Sequence, residues 1–217
     1  MSFDTLLFIP TYNDNSYFYD LIPQIRRFYS EKILCIDDGS TVKIIDKFND
    51  SNLKIIHNSK NYGKGYCIIE ASKYAIKNGY KYLLVLDSDM QHDPSKINDF
   101  LLKRNKYIFI YGRRNFLKNM PFFRILSNFV TSLIISLKCK KRIYDSQCGY
   151  RLYSLSLFKN AVFSNNGYQF ESEILLKSIN RKSSISFVKI PTIYNDNESN
   201  IKSIRDTFKF IKLILLN

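Results

Sequence analysis

Residues 82–94, YLLVLDSDMQHDP, decide the fold. The first five are apolar or aromatic and lie between polar neighbours, the pattern of a short strand buried on both faces. The strand stops where charge begins, at Asp87-Ser88-Asp89. In an open α/β sheet the carboxyl ends of the strands face the ligand crevice, so two carboxylates one residue apart are placed there to meet a substrate. Hard oxygen donors in so small a set suit Mg2+ or Mn2+, which keeps waters and takes further ligands from substrate phosphates. Gln91 offers a neutral oxygen and His92 a nitrogen. The alternative reading of the same residues is a strand cap and turn, for which Asp and Ser are common choices.

Working upstream, the arrangement recurs. Residues 6–9 form an apolar run that stops at Pro10-Thr11-Tyr12-Asn13-Asp14, where proline fixes its own φ and holds its neighbour extended. A helix capped by Asn15 or Ser16 is expected to about Tyr29. Residues 33–36 read as a second buried strand, ending in Asp37-Asp38-Gly39-Ser40. A helix over 42–48 and a strand at 53–56 follow, and Asn61-Tyr62-Gly63-Lys64-Gly65 opens an apolar helix to about Lys77. These glycines lack the spacer and the Ser or Thr of a P-loop, but glycines before a helix still let backbone N–H groups and Lys64 approach an anion. The alternation argues for an α/β chain with a doubly wound, mainly parallel sheet flanked by helices. Right-handed crossovers would bring Tyr12 and Asp14, Asp37 and Asp38, and Asp87 and Asp89 to one edge. Acids at three strand ends point to a nucleotide site.

Length and composition bound the rest. At 217 residues and 45% hydrophobic content, the chain is expected to be one globular domain. No basic-then-apolar leader precedes the first strand, so nothing suggests secretion. The longest apolar region, 122–137, is interrupted by Arg124 and by Ser, Asn and Thr, short of the roughly 18 clean residues of a spanning helix. Cys35, Cys67, Cys139 and Cys148 have no zinc-site spacing and read as reduced, mostly buried thiols of a cytoplasmic protein. The net charge of +14 is uneven: residues 100–144 hold eleven Lys and Arg and no acid. Such a surface attracts phosphates of nucleotides, nucleic acid or anionic lipid, although a chain rich in Lys, Asn and Ile throughout also carries plain solvated lysine. With no RNA or DNA module, and aromatics not interleaved with the basic run, nucleic acid is excluded as a partner.

Taken together, IPTYND at 9–14, CIDDGS at 35–40, NYGKGY at 61–66 and LDSDMQHDP at 86–94 resemble, in order and spacing, the family 2 glycosyltransferases of the GT-A fold. YGRR at 111–114, DSQCGYR at 145–151 and YQFESE at 168–173 look like the branch of dolichyl- and polyprenyl-phosphate hexose synthases. The resemblance covers roughly residues 3–205. It implies that Pro10, Tyr12 and Asp14 help hold the nucleotide, Asp14 standing where relatives usually have Glu, with Asp37 and Asp38 at the base and ribose. It further implies that Asp87, Asp89 and Gln91 position Mg2+ or Mn2+ on the donor diphosphate, with Lys64 and Arg114 supplying positive charge. Arg124 and Arg151 would meet the acceptor phosphate, and Asp145 would act with Asp89 in catalysis. Residues 1–94 would be a nucleotide-binding half, and 95–217 an acceptor-side half closed by a C-terminal helix. Where relatives carry Arg and Lys late in the chain, this one has Thr192 and Asn200; Lys202 or Arg205 are the candidate replacements.

The implied reaction moves a hexose from a UDP- or GDP-sugar, with inversion. A polyprenyl phosphate acceptor brings its own anionic oxygen and needs no strong base. A glycan hydroxyl, as in surface polysaccharide or lipopolysaccharide synthesis, needs a carboxylate, for which Asp145, Glu171 and Glu173 are candidates. Residues 116–137 mix Phe, Leu and Ile with Ser, Asn and Thr and are basic at both ends, as in a helix lying at a membrane interface. A core helix with a polar face is the other reading, and the resemblance favours the interface. The run 204–216 reads as a second amphipathic surface helix or the last helix of the fold. The expected location is therefore peripheral, on the cytoplasmic face of the membrane, with room for a separate membrane subunit.

Overall fold

The computed structural model describes residues 4–115, 122–159, 163, 165, 167, 169–180 and 182–193. In chain order the elements are β1 (Thr5–Thr11), α1 (Asn15–Arg26), β2 (Ile33–Asp37), β3 (Leu53–His57), α2 (Lys64–Lys77), β4 (Tyr82–Val85), α3 (Ile97–Lys103), β5 (Phe109–Arg114), α4 (Phe122–Cys139), β6 (Arg151–Ser154), α5 (Phe170–Ser178) and β7 (Ile185–Ile190). The seven strands form a single sheet in the order β3-β2-β1-β4-β6-β5-β7. Strands β1 to β4 are mutually parallel, β7 is parallel to β5, and β6 runs antiparallel to both its neighbours.

The continuous apolar runs of β1 and β2 exist because both faces of the sheet are covered. Alternate residues serve opposite layers. Leu7, Ile9 and Cys35 pack with Phe18, Leu21 and Ile25 of α1 and Ile97 and Phe100 of α3. Leu6, Phe8 and Leu34 pack with Cys67, Ile68 and Ala71 of α2, Ile135 of α4, and Phe170 and Ile174 of α5. All four cysteines are buried and free.

Two local expectations are corrected. Residues 42–48 form no helix: the Ile44 N–H donates to Asp37 Oδ2 at 3.3 Å and the Ile45 N–H to Tyr19 Oη at 3.1 Å. Side chains here take the backbone donors that a helix would use, and Ile44 is drawn into the core with Phe48 packed against it. Helix α1 takes Asp14, not Asn15 or Ser16, at its cap position, without a side-chain cap bond, and ends at Arg26 rather than near Tyr29. There the Arg26 guanidinium holds the carbonyls of Tyr29 and Glu31 as the chain turns into β2. The helix expected at 204–216, with Asn200, Lys202 and Arg205, lies outside the described residues.

Candidate functional site

The sheet delivers the acidic strand ends to one edge. Thr11 is level with Asp37 and Phe8 with Val85, so the residues following β1, β2 and β4 emerge side by side. Backbone bonds tie the exits together: Asp38 N–H donates to Thr11 O at 2.9 Å and Leu86 N–H to Phe8 O at 3.0 Å.

Asp87 is the most constrained of these acids. Lys64, the first residue of α2, sets its Nζ 2.7 Å from Asp87 Oδ1, and His92 Nε2 lies 3.5 Å from Oδ2. Burial alone would raise the Asp87 pKa, but the Lys64 ammonium and His92 hold it well below the usual carboxylate range. The same Nζ lies 2.8 Å from Glu171 Oε1 on α5. One ammonium thus bridges two acids. Beside them, His92 Nδ1 and Tyr150 Oη are buried without partners, their rings 5.3 Å apart. Buried polar atoms are nearly always satisfied, so such a cluster marks a place built to receive polar groups.

Asp89 and Asp14 complete the acidic rim. Asp89 accepts from the Gln91 N–H at 3.0 Å across a turn in which Met90 takes a positive φ of 62°. Burial first, and then the Asp87 charge, push its pKa up. Asp14 accepts from Ser88 Oγ at 3.0 Å; burial raises its pKa, with Asp89 and Asp87 adding to the effect. Like charges this close favour a cation between them. The oxygen-only donors of Asp87 and Asp89, two carboxylates that repel one another at one strand end, fit Mg2+ or Mn2+, and when bound such an ion would offset charge on a leaving diphosphate. No group of three or more His, Cys, Asp or Glu able to hold a metal occurs among the described residues, so the remaining ligands would come from substrate and water.

Asp37 and Asp38 face the chain itself. Asp37 accepts from the N–H groups of Ser40 and Ile44 and lies 2.9 Å from His57 Nδ1. Asp38 accepts from Asn58 Nδ2 and from the N–H groups of Tyr62 and Gly63, holding the loop that launches α2. Gly39, at φ 77°, lets this turn pack where a Cβ would overlap the Lys60 backbone. Pro10 is buried within β1, while Tyr12 is 42% exposed beside the acids.

The second half of the chain departs from expectation. Asp145 is buried and gripped by Arg114, with Nε at 2.8 Å and Nη2 at 2.9 Å, and by Asn128 Nδ2 at 2.6 Å. Burial opposes ionisation, yet these donors hold its pKa low. Arg151, expected at the acceptor phosphate, is 1% exposed. It donates to the carbonyls of Cys148, Ser146 and Glu171 and to Tyr153 Oη, with Nη2 3.7 Å from Glu171 Oε2, so its guanidinium is engaged inside the protein. Its position under the site is structural. Glu173 is fully buried against Lys177 and Asn165. Thr192 donates to Asn115 O at 2.7 Å, tying the end of β7 to the exit of β5. The Arg124 side chain lies outside what the structure describes.

Sequence reasoning did not single out Gly149, although its motif was read. A Cβ there would overlap Asp87 Oδ2 and stand 2.9 Å from Lys64 Nζ. Gly149→Ala is expected to push the Asp87 carboxylate aside, costing about 1–3 kcal/mol of stability and most of the binding of Mn2+ with UDP. Urea unfolding and calorimetry check the two effects separately.

Helix α4 buries polar residues beside apolar Ile135 and Cys139 and exposes an apolar stripe. Asn128, Thr131 and Ser132 turn inward, where Ser132 Oγ bonds Asn128 Oδ1 and Ser146 Oγ at 2.8 and 3.0 Å. Leu126, Phe129, Val130, Leu133 and Leu137 point outward, from 43 to 69% exposed. Lys138, Lys140, Lys141 and Arg142 follow directly. No helix among the described residues is long and apolar enough to cross a membrane.

Known proteins resemble this chain in sequence and fold. An uncharacterized protein of Methanocaldococcus jannaschii is 30% identical over 87% of this chain and 87% of its own length. The UDP-N-acetylglucosamine–dolichyl-phosphate N-acetylglucosaminyltransferase of Methanococcus voltae is 27% identical, over 88% of this chain and 86% of its own. Glucosyl-3-phosphoglycerate synthase from Mycobacterium tuberculosis, solved with Mg2+ and UDP, superposes with a TM-score of 0.77 at 15% identity, covering 98% of this chain and 78% of that one, and so shares the fold. The profile of glycosyl transferase family 2 matches residues 7–165, the span that carries most of β1, all of β2 to β6 and the acids at the strand ends, and the chain therefore belongs to that family.

Proposed function

We propose that this glycosyltransferase moves a hexose from a UDP- or GDP-sugar to a polyprenyl phosphate, inverting the anomeric carbon, with Mg2+ or Mn2+ at Asp87, Asp89 and Gln91, on the cytoplasmic face of a membrane. The observation that carries the lipid acceptor is α4. Its inward polar face is fastened to the 145–146 turn, which also holds Arg114, so its exposed apolar stripe and trailing basic residues flank the end of β5. An apolar stripe followed by cations suits the boundary between acyl chains and anionic headgroups, where a polyprenyl phosphate presents its phosphate.

The chemistry of the acids agrees. Each candidate base for a hydroxyl acceptor is engaged by a cation: Asp145 by Arg114, Glu171 by Lys64 and Arg151, and Glu173 by Lys177. Carboxylates so paired are poor proton acceptors. An acceptor that is already anionic needs none, and the chain's task reduces to holding the two substrates in line and stabilising the departing diphosphate. The dolichyl-phosphate enzyme of Methanococcus voltae adds support by its name.

The test is transfer of radiolabelled sugar from UDP- and GDP-hexoses into polyprenyl phosphate, with and without EDTA. Label entering the organic phase only with metal present is expected. Nucleotide-sugar hydrolysis without lipid product would transfer the assignment to a glycan acceptor. Phe129→Glu and Leu133→Glu together are expected to reduce lipid transfer at least tenfold, about 1.4 kcal/mol or more, while UDP binding holds.

A further inference from the structure

Four ionisable side chains alternate in sign beneath the donor edge: Asp87, Lys64, Glu171 and Arg151. One end is rigid, because Arg151 is fixed by the carbonyls of Cys148, Ser146 and Glu171. The other end is Asp87, where the site is built. Between them stands a lysine, a flexible stem with a point charge that carries no orientation of its own. Glu171 supplies it: two acids at 2.7 and 2.8 Å draw the ammonium between them. Held there, Lys64 neutralises Asp87 from one fixed direction, at Oδ1. With Glu171 uncharged, the ammonium would lose its second counter-ion and with it the restraint that fixes its place against Asp87.

We infer that Glu171 is a positioning residue for the donor: acting through Lys64, it keeps Asp87 fixed where a donor diphosphate and its cation would be held. This rests on reading Asp87 and Asp89 as the donor end. It also gives helix α5, from the acceptor-side half, a part in donor binding, and it assigns Glu171 no proton transfer, since both its oxygens face cations.

A double-mutant cycle tests it, with Mn2+ and UDP titrated by calorimetry into the wild type, Glu171→Gln, Glu171→Asp, Lys64→Met and the Lys64→Met/Glu171→Gln pair, each checked by urea unfolding. Glu171→Gln is expected to weaken Mn2+-dependent UDP binding about 10- to 100-fold, and Glu171→Asp to recover part of it. In the Lys64→Met background the same change is expected to matter by about twofold or less. An equal loss in both backgrounds would mean that Glu171 acts directly, and unchanged binding with lowered stability would mean a structural role only; either overturns the inference alone. If the wild type shows no Mn2+-dependent binding of UDP or GDP, the donor reading falls and the inference with it.

Discussion

Asp89→Asn is expected to lower sugar transfer by about 10²- to 10³-fold, a loss on the order of 3–4 kcal/mol of transition-state stabilisation, while leaving the protein as stable as before or more so. The two effects have one cause. Asp89 is ionised against burial and against the Asp87 charge, which is why its pKa is raised. A raised carboxylate pKa means that the folded state holds the proton more tightly than the unfolded one, so ionisation above that pKa costs stability. Asparagine copies the neutral form and removes the cost, but it also removes the charge that would hold a divalent cation at the leaving diphosphate. Initial-rate assays and urea unfolding of the same preparation decide the matter. Full activity in the variant would sink the donor assignment, whereas a clear loss of stability would mean that Asp89 serves the fold.

Arg151→Ala is expected to behave in the opposite way, destabilising the protein by about 3–5 kcal/mol. Three carbonyls lose their donor, and Glu171 is left buried with Lys64 as its remaining counter-ion. An unsatisfied buried acceptor costs about 1–3 kcal/mol by itself, so the figure does not need the ion pair to be strong. If Arg151 met the acceptor phosphate instead, unfolding would be little changed and the KM for the acceptor would rise. Denaturation midpoints alone separate the two roles.

The donor edge was legible because it is local. Each strand announces itself by a short apolar run, each exit by an acid, and parallel pairing does the rest for Asp14, Asp38, Asp87 and Asp89. Arg151 was not legible, since a charged residue in a motif looks the same whether it faces a ligand or three carbonyls. Residues 42–48 misled for a related reason: hydrophobic spacing proposed a helix, but Asp37 and Tyr19, distant in sequence or across a turn, captured its N–H groups. In α4 the composition was readable and the orientation was not, because which face is buried depends on the polar turn at 145–146 that receives Asn128 and Ser132. Glu171 meets Lys64 only once α5 has docked beside α2.

The antiparallel strand β6 has a consequence for how the chain is made. It lies between β4 and β5, although its residues, 151–154, are synthesised after both. Until they emerge, β4 has β1 on one side and, on the other, a bare row of backbone donors and acceptors along Leu83, Leu84 and Val85. A chain cut after residue 94 would carry that open apolar edge permanently, a template for pairing with other chains. The two halves distinguished in the sequence are thus interlocked in one sheet, and the acids after β4 sit beside a strand that comes late in the chain.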